Sequence, residues 1–165
     1  MIYDFGKEDK SFVSSIDLKN TLKCHFRGIP KLVKLIYCNP NIQSNNNINY
    51  IKNNEKELEI MENGVFRIVN KEYILDSIIL DLWTLLNNYY EKLEKDRMLE
   101  NFKDTLVCKE TWERIIDFIN TYNKLQNGEY VCIEDLRNEV LNVFKLYSIE
   151  KNKKKNKKSR RKSIS

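Results

Sequence analysis

The sequence predicts a predominantly helical α+β fold: a single domain with one β-hairpin and a disordered basic C-terminal tail. Three observations carry that prediction. Apolar residues recur at three- and four-residue spacing over much of residues 72–147, the period of a helix with one buried face. One Asn63-Gly64 pair sits between two short apolar runs, the strongest local hairpin signal. Lys151 to Lys162 reads KNKKKNKKSRRK, nine basic residues without an acid.

Residues 11–27 place Phe12, Val13, Ile16, Leu22 and Phe26 in a broken helical pattern. Gly28 and Pro30 interrupt it, and Pro30 suits the first turn of a new helix, where its missing N–H costs nothing. Ile29, Leu32, Val33 and Ile36 share one face of that helix, which Asn39-Pro40 stops, because the residue before proline avoids the helical region. Residues 39–56 are Asn-rich, polar and aperiodic, so they read as a mobile surface loop with no functional weight on the asparagines. In Glu57 to Asn70, Asn63-Gly64 supplies the positive φ angles of a tight turn, and Val65 to Val69 is rich in strand formers.

From Glu72 to about Phe102, Leu75, Ile78, Ile79, Leu82, Leu85, Leu86, Tyr89 and Leu93 mark a long helix. Its first half is broadly apolar and reads as a central core helix. After Tyr90 the pattern thins to charged residues, so the helix either emerges into solvent or breaks near Asp96. Trp112, Ile115, Ile116, Ile119 and Tyr122 define the next helix, ended by Asn127-Gly128. Glu129 to Cys132 reads as a short extended segment. Leu136, Val140, Val143, Phe144 and Tyr147 define the last helix, with Glu134 and Asp135 in its first turn, where the helix dipole favours acids.

Composition bounds the organisation and the function. The length of 165 residues, with 41% apolar content, fits one domain of residues 1–150 followed by a tail of residues 151–165. Four glycines and two prolines are too few for a sandwich or barrel of many short strands. No apolar run approaches the roughly 20 residues of a membrane span, and no secretory or lipidation pattern is visible. The four widely spaced cysteines, Cys24, Cys38, Cys108 and Cys132, read as reduced, buried thiols. Cys24, His25 and Cys38 lack the paired spacing of a structural zinc site, so neither a metal nor a cofactor is expected. There is no P-loop, nucleophile elbow, dinucleotide fingerprint or paired-histidine metalloprotease motif. With one histidine in the chain, catalysis has no constellation to rest on, and the expectation is a protein that is not an enzyme.

The charge distribution is the sharpest functional signal. The chain has 29 Lys+Arg and 24 Asp+Glu; removing the nine tail cations leaves 20 basic against 24 acidic residues. An acidic body therefore carries a strongly basic tail. Like charges at this density read as disorder. The contact residues are Lys151, Lys153, Lys154, Lys155, Lys157, Lys158, Arg160, Arg161 and Lys162, which suit nuclear import or phosphate binding without sequence preference. Membrane attachment is disfavoured, since one polybasic patch needs a second anchor. Ser163, after two arginines and a lysine, is a candidate phosphorylation site.

Trp83, Tyr89, Trp112 and Tyr122 fall on apolar stripes and read as core. Tyr90 and Phe118 lie off the narrow stripes and are candidates for a protein interface. The hairpin after short helices resembles the wing of winged-helix DNA binders, but Glu57, Glu59 and Glu62 give it the wrong sign for DNA. The expected function is a non-enzymatic interaction subunit of a nuclear or nucleoprotein complex. Protein partners would dock on the body, and the tail would give import or a nucleic-acid tether. The alternative is a cytoplasmic helical adaptor whose tail only solubilises it.

Overall fold

The computed structural model describes the backbone of residues 1–164 and the side chains of residues 1–163. Six helices and a three-stranded sheet form the described chain: α1 (Ser15–Leu22), α2 (Gly28–Tyr37), β1 (Ile48–Tyr50), β2 (Glu57–Glu62), β3 (Val65–Asn70), α3 (Lys71–Lys95), α4 (Leu99–Asp104), α5 (Lys109–Gln126) and α6 (Glu134–Ile164). The architecture is α+β and predominantly helical, with the sheet antiparallel in the order β1-β2-β3.

The central helix is α3, as its apolar width predicts. Ile78, Leu82, Trp83 and Leu86 are completely buried, and α1, α2, α5 and α6 all pack on it. Full burial of each such side chain favours the fold by roughly 1.5–3 kcal/mol. Asn70 ends β3 and caps α3, its side-chain oxygen accepting the Glu72 and Tyr73 N–H groups at 2.9 and 3.4 Å. The N-terminus of α1 carries a capping box. The Asp17 N–H donates to Ser14 Oγ at 3.1 Å, and the Ser14 N–H donates to Asp17 Oδ2 at 3.0 Å. The two arms of the hairpin pair from Glu57↔Asn70 to Glu62↔Val65. Asn63 and Gly64 between them have φ of 53° and 79°, the doubly left-handed turn that matches the twist of the arms.

The structure decides some of these expectations and corrects others. The long helix stops at Lys95, the second of the two readings above. Arg97 takes φ of 57°, and the Met98 and Arg97 N–H groups close onto Leu93 O at 2.8 Å and Glu94 O at 3.1 Å. That is a Schellman cap built without glycine. Residues 129–132 form no strand.

The Asn-rich stretch is not a featureless mobile loop. It holds a short 3-10 turn and β1, which pairs with β2 from Ile48↔Ile60 to Tyr50↔Leu58. Asn45 and Asn47 are completely buried. Asn45 donates to the Asp9 carbonyl at 2.7 Å and accepts the Asp9 N–H at 2.9 Å. Asn47 donates to Glu8 Oε1 at 2.8 Å and to Asp4 O at 3.2 Å. The Asn45 amide takes the place of water for the Asp9 backbone, which is how buried polar groups avoid their desolvation cost, whereas Asn47 Oδ1 and Glu8 Oε2 are buried without a partner.

The basic tail is not placed as a disordered segment. It continues α6 without a break through residue 164. Counting like-charge repulsion alone missed three opposing effects. Lys and Arg are good helix formers. Extending an existing helix avoids the cost of nucleation. Cations are also favoured near a helix C-terminus. Neither glycine nor proline interrupts residues 134–164.

Candidate nucleic-acid interface

The packed half of α6 sets the position of its basic half. Leu136, Val140 and Phe144 are buried along one stripe, and the Phe144 ring meets Tyr37 edge-on with centroids 6.1 Å apart. Arg137 fixes the first turn to α3 through a two-pronged ion pair with Asp76, its Nη2 donating to Oδ2 at 2.8 Å. The pair is partly exposed, and the carboxylate holds the guanidinium above its ordinary pKa. Near the transition to solvent, Asn46 Nδ2 donates to the Tyr147 hydroxyl at 3.0 Å.

Lys151 is where packing ends. Its amine sits over the Tyr147 ring, 4.4 Å from the centroid, a cation–π contact that lets the side-chain stem cover apolar surface. Burial lowers its pKa, and the neighbouring Lys155 charge adds to that effect. Beyond it, Lys153, Lys154, Lys155, Lys157, Lys158, Arg160, Arg161 and Lys162 are all exposed. At 1.5 Å per residue, residues 151–163 extend about 20 Å. Ser163 lies at the end of this segment, exposed, with its hydroxyl donating to the Arg160 carbonyl at 2.9 Å.

The base of the extension forms one wall of an open cleft of about 940 Å³. Lys34 from α2 joins Lys151 and Lys154 in it, opposed by Glu150, with Tyr147 and Phe66 supplying aromatic surface. Sequence reasoning missed Lys34 and Phe66, because only the packing of α2 and the sheet, through β1, on α6 brings them to this cleft. Asn46 Oδ1 is buried beside this cleft without a hydrogen-bond partner. Cys38 also lines the cleft, with burial pushing its thiol up to about 12.

The two aromatic interface candidates part company. Phe118 is completely buried, stacked on Trp83 at 5.0 Å between centroids and met edge-on by Phe26 at 5.1 Å. Its carbonyl accepts the Trp83 indole N–H at 3.1 Å. Phe118 is therefore a core residue, because the buried face of α5 is wider than the stripe that its spacing suggested. Tyr90 is half-buried, its ring tilted against Trp112 with centroids 6.5 Å apart. Burial raises its pKa, with the Glu94 charge contributing.

The cysteines divide as well. Cys38 is buried and Cys24 half-buried, but Cys108 and Cys132 are exposed, in the connections before α5 and α6 rather than in the core. Hydrogen bonds with Thr111 lower the Cys108 pKa. His25 sits at the boundary of the core with φ of 46°. Its Nδ1 is buried without a hydrogen-bond partner. Among the described residues, no group of three or more His, Cys, Asp or Glu is arranged to hold a metal ion. No helix among them is long and apolar enough to cross a membrane.

Comparison with known protein families, curated proteins and solved structures finds no match to this chain.

Proposed function

We propose that this chain is a non-enzymatic interaction protein of a nuclear or nucleoprotein complex. The body docks to protein partners, and the basic extension serves import or tethers the complex to nucleic acid without sequence preference. The observation that supports this reading best is the continuation of α6 beyond the packed core with nine cations and no acid. A flexible tail would fold back onto an acidic body and lose its charge to internal ion pairs. A helix holds its distal cations about 20 Å from its last packed turn, beyond the ~8 Å screening length at physiological salt. That distance screens the distal cations from the net charge of the acidic body.

Phosphate backbones bind such an array by releasing counterions. Phosphorylation of Ser163 would add about −1.5 to −2 at the end of the array and weaken that attraction. The test is fluorescence anisotropy with labelled DNA and RNA, comparing the full chain with one ending at Glu150, at low and moderate salt. A reporter fused to residues 151–165 is followed in cells alongside. The reading requires binding or import that is lost on truncation, and binding that falls steeply with salt. If neither chain binds and the reporter is not imported, the extension is only a solubiliser and the reading fails.

A further inference from the structure

The extension is helical, and its residue types are segregated around the helix. Advancing about 100° per residue, Asn152, Asn156, Ser159 and Ser163 fall within one arc of roughly 60°. These four are the uncharged polar residues of positions 151–163. The nine cations fill an arc of roughly 220° on the other side. Lys155 and Lys162 flank the polar stripe on one edge, with Lys153 and Arg160 on the other. The stripe also lies roughly 130° from the face on which Leu136, Val140 and Phe144 enter the core, so a ligand approaching it does not meet the body.

The arrangement is costly for a helix in water alone. Lys151–Lys155, Lys153–Lys157, Lys154–Lys158, Lys157–Arg161 and Lys158–Lys162 are like-charge pairs four residues apart, each unfavourable to a helix. A polyanion lining both sides of the helix removes that repulsion. Two walls of phosphate with polar edges between them describe a nucleic-acid groove. An α-helix is about 10–12 Å across with its side chains, and the B-form major groove, about 12 Å wide, admits one. The A-form major groove is deep and narrow and does not. Duplex DNA carries one charge per roughly 1.7 Å, so the ~20 Å extension spans about twelve phosphates, more than its nine cations.

Resting on the reading that the extension binds nucleic acid, we propose that its ligand is B-form duplex DNA. Residues 151–163 lie as a helix in the major groove, with the Asn152/Asn156/Ser159/Ser163 stripe toward the base edges and the edge cations Lys153, Lys155, Arg160 and Lys162 toward the flanking phosphates. Asn and Ser side chains both donate and accept at base edges. Groove geometry, not charge, separates this mode of binding from a tether.

The experiment uses the full chain and three labelled probes: a duplex DNA, the single strand and a duplex RNA, titrated by anisotropy at fixed salt. Asn156→Pro keeps every charge and breaks the helix within the extension; its body is checked by thermal melting. Duplex DNA should bind at least tenfold tighter than either other probe. Asn156→Pro should lose at least tenfold in duplex affinity, and Asn152→Ala with Asn156→Ala should lose several-fold while the helix persists. The circular dichroism signal at 222 nm should show more helix in wild type than in Asn156→Pro, both before and after duplex is added. Equal binding of all three probes, or an Asn156→Pro chain that binds duplex as wild type does, overturns the groove assignment and leaves the tether intact. Failure of the wild-type chain to bind any probe overturns this assignment together with the tether.

Discussion

The two halves of α6 share one continuous backbone and live in opposite environments. In residues 134–150 the inward stripe is Leu136, Val140, Phe144 and Tyr147, packed against α2, α3 and β1. The same stripe continues as Lys151, Lys154, Lys155 and Lys158, where only Lys151 keeps any burial. Backbone helicity is thus decoupled from burial: propensity and propagation hold the outer half, while apolar packing holds the inner half. The change happens within one turn, where Tyr147 is tied to Asn46 and covered by Lys151.

This contrast collapses if the packed half proves dispensable. Phe144→Ala should cost about 3–5 kcal/mol, the range for truncating a buried aromatic, read as a lower midpoint in urea unfolding; Lys155→Ala should leave that midpoint in place. Gly28→Ala comes next. A Cβ there would overlap the Thr21 carbonyl, a backbone atom that cannot swing away. Forcing α1 and α2 apart should cost about 1–3 kcal/mol, measured the same way.

Asn45→Ala should also cost about 1–3 kcal/mol, because it leaves the Asp9 N–H and carbonyl without their partners at 2.9 and 2.7 Å. Faster hydrogen exchange at the Asp9 amide would mark the loosened N-terminal segment. If Asn45→Ala leaves stability and exchange unchanged, the Asn-rich stretch is a surface loop after all.

A smaller effect is pH-dependent. Burial first, then the charges of Arg114 and Arg27, lowers the His25 pKa from its ordinary 6.5. Protonation therefore favours the unfolded chain. The contribution of His25 is intact above pH 6.5 and is lost as pH falls from there through the lower folded-state value. His25→Asn keeps a residue tolerant of the φ of 46°, so its Tm should decline less than wild type between pH 7 and 5. The smallest effect bears most directly on the two halves of α6. A chain ending at Lys151 should keep its stability within about 0.5 kcal/mol, seen as an unchanged melting curve. A large drop would mean that the extension packs on the body.

Two helix ends show how much of this was legible. Both α3 and α5 close with the same Schellman bonds. At α5 the Glu129 and Gly128 N–H groups reach Lys124 O at 3.0 Å and Leu125 O at 3.2 Å, and Gly128 announces that end in the sequence. At α3 the equivalent left-handed position is Arg97, which local preference does not mark, so an end near Asp96 is only one of the two readings the spacing allows. The hairpin is legible for the same local reason as Gly128. The third strand is not, since β1 is three residues long and carries no alternation of its own.

The candidate site was legible in part. The nine cations can be read from sequence, but their helical presentation and the cleft shared with Lys34 and Phe66 cannot. The spacing of Phe118 places it off the narrow stripe of α5 and so points to the surface. The contacts that bury it, Trp83 and Phe26, come from 35 and 92 positions away in the chain. The asparagines mislead similarly, as Asn45 and Asn47 find their partners at Asp9 and Glu8, 36 and 39 residues distant.

Local chain chemistry suffices for the α+β class, the turn at Asn63-Gly64, the central apolar helix and the opposition of an acidic body to a basic C-terminus. Those follow from period, turn chemistry and charge, which act over a few residues or add up regardless of arrangement. Folding in three dimensions was needed to fix which asparagines are buried, that Phe118 is core, where Lys34 sits, and on which side of α6 the cations meet solvent. Each of those depends on contacts between segments distant in the chain, where burial is set by what the other segment brings and not by the residue's own neighbours.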